Sequence, residues 1–111
     1  MIIQIAATAG EWAQACRERD GYECKALDHD PRCRGAVEQV HHLVYKSHLT
    51  PETRWIVENG LSLSQVCHAK AHATHNASVG LTRANEAVKA VNIILVARGL
   101  TKIPPFRKKA A

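Results

Sequence analysis

At 111 residues, 46% hydrophobic but only 5% aromatic, the chain is one domain whose core must come mainly from Ala, Val, Ile and Leu. A core that light leaves a metal or partner room to supply stability. A net charge of +5 and a pI of 9.3 favour a polyanionic partner, because Lys and Arg displace counterions condensed on nucleic acid.

Thr8 followed by Glu11 has the form of a capping box and predicts a helix over Ala9 to Arg19, closed by Asp20-Gly21, with Trp12 and Cys16 on its buried stripe. Tyr22 to Gly35 reads as irregular, with turns at Asp30-Pro31 and Arg34-Gly35. Val37, Val40 and Leu43-Val44-Tyr45 predict a short strand carrying His41 and His42. Lys46 to Arg54 reads as a loop in which Thr50-Pro51-Glu52 could open a brief helical turn. Asn59-Gly60 is a strong turn dipeptide between Trp55-Ile56-Val57 and Leu61-Ser62-Leu63. A helix is predicted from Ser64-Gln65 to about Asn76, and another from Arg83 to Arg98, capped by Thr82 and closed by Gly99. Lys102 to Ala111, with Pro104-Pro105 and Arg107-Lys108-Lys109, reads as an extended basic arm with too few apolar residues for a strong anchor. The domain thus spans 1–99 and the tail 100–111. The longest apolar run, Ile93 to Ala97, is far short of a membrane span.

Six of the seven histidines fall between positions 41 and 75. Adjacent residues on a strand face opposite ways, so His41 and His42 can do two jobs at one place. His68 and His72, four apart on a helix, share a face and can share one metal ion. Asn59 joins them in the pattern Asn-x8-His-x3-His. His29, His48 and His75, taken singly, read as ordinary surface residues. Ala69 stands where a zinc-protease helix carries its glutamate, which disfavours that class.

Arg19-Asp20-Gly21-Tyr22-x-Cys24, His41-His42-Leu43, Glu58-Asn59-Gly60-Leu61-x-Leu63 and Cys67-His68-x3-His72 together resemble an HNH endonuclease, over roughly residues 17–81. The resemblance implies an α+β fold: a ββα-metal core, here with an N-terminal and a C-terminal helix added. It implies metal ligation by His41 and His68, with His72 a third ligand or a phosphate contact. His42 would be the general base and Asn59 would fix the loop that orients it. The cofactor would be one divalent cation (Mg, Mn, Ni or Zn) and the partner DNA. The short segment Asn76 to Leu81 looks most like small phage-encoded members, implying phage or prophage DNA processing in the cytoplasm of a bacterial host. No secretory signal is read at Met1 to Ala7, and a reducing compartment makes metal a commoner use of Cys and His than disulfides.

Many members of that family hold a structural zinc with two Cys-x2-Cys pairs. Here Leu27 and Ser64 occupy the partner positions of Cys24 and Cys67. Cys33 could complete a set of Cys24, Cys33 and Cys67 with His29 as candidate fourth ligand, but the preferred reading takes these cysteines as small core residues without zinc. Lys46, Arg54, Lys70, Arg107, Lys108 and Lys109 are the candidate phosphate contacts. The competing readings are a non-catalytic metal-stabilised DNA-binding module and an accessory subunit of a phage packaging or recombination machine.

Overall fold

The computed structural model describes residues 2–108, so Lys109 lies outside the described residues. The fold is α+β, with three α-helices and a two-stranded antiparallel sheet: α1 (Ala9–Arg19), β1 (Gln39–His42), β2 (Gly60–Leu63), α2 (Gln65–Ala73) and α3 (Leu81–Ala97). Thr8 caps α1 by accepting from the Glu11 backbone N–H, and Asp20 ends it, as the sequence predicts. Ser64 caps α2 in the same way through the Cys67 N–H. The helix closes at Ala73, earlier than expected, because His75 and Asn76 take left-handed backbone conformations. The longest helix also begins earlier, at Leu81, with Gly80 rather than Thr82 as its cap.

The Asn59-Gly60 dipeptide does not form a hairpin turn between flanking strands. Val57–Asn59 is a 3₁₀ turn that leads into β2, and β2 pairs with β1, His41 opposite Leu61 and His42 opposite Gly60. Ile56 instead forms an isolated bridge with Ile5. Gly60 is required by close approach: a Cβ there would strike Cys16 Sγ and lie 2.8 Å from the Trp12 ring. Without that Cβ, α1 packs directly over the sheet. Asp20 reinforces this contact by accepting from the Ser62 N–H at 2.9 Å.

Leu43, Leu61, Leu63, Cys67, Ala71 and Ala84 belong to one core cluster, while Val44, Ile56, Val88 and Val91 belong to a second under α3. Phe106 packs against both. The segment 103–106 belongs to no helix or strand but is anchored more firmly than its composition suggests. Asn92 exchanges two hydrogen bonds with the Ile103 backbone (2.7 and 2.9 Å), and Asn85 two with that of Phe106 (2.8 and 3.1 Å). Two helical turns rise about 10 Å, which three extended residues also span. Pro104 and Pro105, lying between the clamps, have no N–H to leave unsatisfied. Among the described residues, no helix is long and apolar enough to cross a membrane.

Candidate metal centre

His41, His68 and His72 converge, with one ligand nitrogen from each lying within 4.8 Å of the others. The two helix histidines come together at Nε2 to Nε2, 3.2 Å apart. Two nitrogens bound to one ion at about 2.0–2.1 Å sit on the order of 3 Å apart, so the pair already has ligand spacing. His41 is buried on the sheet, and Asn76, held in the left-handed region after α2, orients its ring. The Asn76 amide N–H donates to the Leu43 carbonyl at 2.8 Å, which leaves Oδ1 to face His41 Nε2 at 2.7 Å. That oxygen can only accept, so Nε2 carries the proton and Nδ1 holds the lone pair. Nδ1 is buried without a hydrogen-bond partner. A buried orphan beside two more imidazoles fits a metal ion. Burial first, then the neighbouring imidazoles, push the His41 pKa down to about 4 despite the Asn76 bond, keeping it a neutral ligand at pH 7.

The alternation of β1 turns His42 the other way, onto the indole of Trp12, with centroids 4.1 Å apart and planes 17° from parallel. Its Nε2 donates to the Arg54 carbonyl at 2.9 Å, so Nδ1 carries its lone pair. Burial lowers its pKa, with the cations of Lys46 and Arg54 adding to the effect and the Arg54 carbonyl opposing it. Asn59 is fully buried and clamps Val44 from both sides: Oδ1 accepts from its N–H at 2.7 Å and Nδ2 donates to its carbonyl at 3.0 Å. Asn59 thus pins the chain two residues beyond His42, and its side-chain hydrogen bonds go to the Val44 backbone rather than to the imidazole.

Lys46 lines the same pocket as His41, His42, His68 and His72. Arg54 reaches the site through its backbone carbonyl. Lys70 does not join the cluster. It lies two residues from both helix histidines, roughly 200° round the helix, and its Nζ pairs with Asp28 at 3.0 Å.

A second group, Cys24, His29, Cys33 and Cys67, also has its ligand atoms within 4.8 Å of one another. His29 fills the fourth position that the cysteine spacing left open. Cys24 and Cys67 are buried in the core, as the core-residue reading expects, with Cys33 partly buried against them and Cys16 fully buried against the Val57 carbonyl. The Asp30 N–H points at Cys67 Sγ at 3.3 Å, and Cys33 Sγ receives the Ser64 hydroxyl at 3.1 Å and the Gly35 N–H at 3.4 Å. Such donors stabilise thiolates. The Ser64 hydroxyl first, then the Gly35 N–H, bring the Cys33 thiol down to about 6, while burial raises that of Cys67. The residues present can therefore hold a metal ion at two places.

The orienting role of Asn76 and the Trp12 platform under His42 are not readable from the sequence, whereas His29 is the candidate fourth ligand that the sequence offers. The one available signal was an Asn just past a predicted helix end, which favours the left-handed region. No family model, curated protein or solved structure matches the chain.

Proposed function

We propose that the protein is a metal-dependent DNA endonuclease of the HNH type, built on a ββα-metal core of β1, β2 and α2. The observation that carries this reading is the division of labour within one dipeptide. His41 Nδ1 is a buried orphan beside His68 and His72, while His42 has its Nε2 tied to a carbonyl and its Nδ1 free. A divalent cation held by His41, His68 and His72 would supply Lewis-acid relief of charge on the leaving oxygen of a phosphodiester. His42 Nδ1 accepts a proton from the attacking water, and the Arg54 carbonyl and Trp12 hold that ring in place. Asn59 supports the geometry through Val44. Cys24, His29, Cys33 and Cys67 would hold a structural zinc, which suits a soft, thiolate-rich set. Phage or prophage DNA processing is the setting we attach to this activity.

Incubating supercoiled plasmid with Mg, Mn, Ni or Zn tests the proposal. His42→Ala should cut ~10²–10⁴-fold more slowly with metal affinity unchanged. His68→Ala should lose both. Equal cutting by wild type and His42→Ala would eliminate the base assignment. Tight metal and DNA binding without any cutting would favour a non-catalytic binding module.

A further inference from the structure

The histidine pocket is the first of three hollows that adjoin through shared wall residues. It shares Tyr45 with a neighbouring hollow that also includes His48 and His75. That hollow shares His75 and Pro104 to Phe106 with a third, which Thr74, Arg107 and Lys108 also line. No carboxylate lines any of the three, although the chain has 10 Asp and Glu. By contrast, the hollow beside Arg83 carries both Glu58 and Glu86. Lys46 stands at the metal end and Arg107 and Lys108 at the far end, none in an ion pair among the described residues. Between them the Tyr45 ring lies nearly parallel to those of His72 (5.2 Å, 25°) and His48 (6.3 Å, 23°).

A row of adjoining hollows with cations at both ends, flat rings between and no carboxylate complements a chain of phosphates. The far cations are set in place by the asparagine clamps, which hold the strap 103–106 against α3 through its backbone. Asn85 and Asn92 reach the hollows only through that strap. We propose that the strand leaving the metal centre runs along this row, its binding groove, as a sugar–phosphate backbone, and that Asn85 and Asn92 are positioning residues that set Arg107 and Lys108 as its distal phosphate contacts. The proposal rests on the nucleic-acid reading of the histidine site.

The test is anisotropy of a fluorescein-labelled DNA duplex across a salt series, with metal-loaded protein carrying His42→Ala to prevent cutting. Arg107→Gln with Lys108→Gln should reduce the slope of log K against log salt by about 1.8, and Lys46→Gln by about 0.9. Lys89→Gln, beside Glu86, should leave it unchanged. Asn85→Leu with Asn92→Leu keeps every cation but frees the strap, and should weaken binding roughly tenfold while metal affinity at the histidines holds. If the asparagine pair fails to fold, the charge pair still decides, since its clamps are intact. Unchanged slopes in Arg107→Gln/Lys108→Gln, or equal losses in Lys89→Gln, would overturn the groove. Full affinity in the asparagine pair would reduce the strap to a free arm and overturn the positioning role. Wild-type protein that never cuts plasmid yet follows this pattern would lose the nuclease reading and keep the groove. Cutting without the pattern would do the reverse.

Discussion

His41 owes its ligand geometry to Asn76, a residue 35 positions away whose amide oxygen decides which ring nitrogen is free. Asn76→Ala should therefore lower metal affinity at the histidines by about 10–100-fold without removing a ligand. Asn76→Asp keeps an acceptor for Nε2 and should retain more of that affinity than alanine does. Calorimetric titration giving alanine the wild-type affinity would refute the orienting role. Asp20 offers a second residue-scale outcome. Burial pushes its pKa up, but the Arg19 guanidinium and the Ser62 N–H outweigh burial and hold it below the usual carboxylate value. The unfolded chain then binds the extra proton first as the pH falls, so the contribution is whole above about pH 4 and is lost as the pH falls through the folded-state value. Asp20→Asn should cost about 2 kcal/mol at neutral pH, a charged hydrogen bond's worth. Its deficit against wild type should narrow in acid. Urea melts at pH 7 and pH 3 with equal deficits would contradict this.

Among the elements, α1 and β2 meet where Gly60 has no side chain, and that absence lets Trp12 lie flat on His42. Gly60→Ala should destabilise by about 1–3 kcal/mol as an overpacked contact. It should also slow plasmid cutting by displacing the His42 platform, with little change in metal affinity. A variant with wild-type melting and wild-type rate would show that the approach is not tight. The capped start of α1, the start of α2 near Ser64 and the shared face of His68 and His72 were legible in the sequence, since each rests on residues within one turn. The strand pairing was not: Asn59-Gly60 carries the local signature of a hairpin, yet the partner of β2 comes from 39–42, and packing against α1 rather than turn chemistry calls for the glycine.

At the scale of the whole molecule, both metal-capable groups are rooted in the core at one side, through His41 in one and Cys24 and Cys67 in the other, while His72 and His29 are exposed. Cys24 and Cys67 share a buried cluster with Leu43, Leu63 and Ala71, the last lying on the helix that carries His68 and His72. Removing a metal from the cysteine group should therefore loosen the base of the histidine site. A chelator strong enough to strip zinc should cost about 3 kcal/mol or more, a fall of roughly 12–20 °C in Tm. Cys67→Ser should reproduce that fall, and His68→Ala should not. Zinc analysis finding none bound to wild type, with identical Tm for wild type and Cys67→Ser, would return these cysteines to the role of plain core residues.

By itself, the sequence determined what depends on short spans: the Thr8 cap of α1, the opposed directions of His41 and His42, the shared face of His68 and His72, and the basic charge. It also held the material for the second metal group, but Cys24, His29, Cys33 and Cys67 are spread over 44 positions at no regular spacing. Only the tertiary structure brought His29 to Cys67, turned Asn76 onto His41 and took Lys70 away to Asp28. It also decided that 103–106 is a strap, because the two asparagines that hold it lie on a helix earlier in the chain. Local patterns carry the directions of side chains along one element. Which elements meet is settled by burying their apolar faces together, and sites built across those meetings become visible only once that burial has occurred.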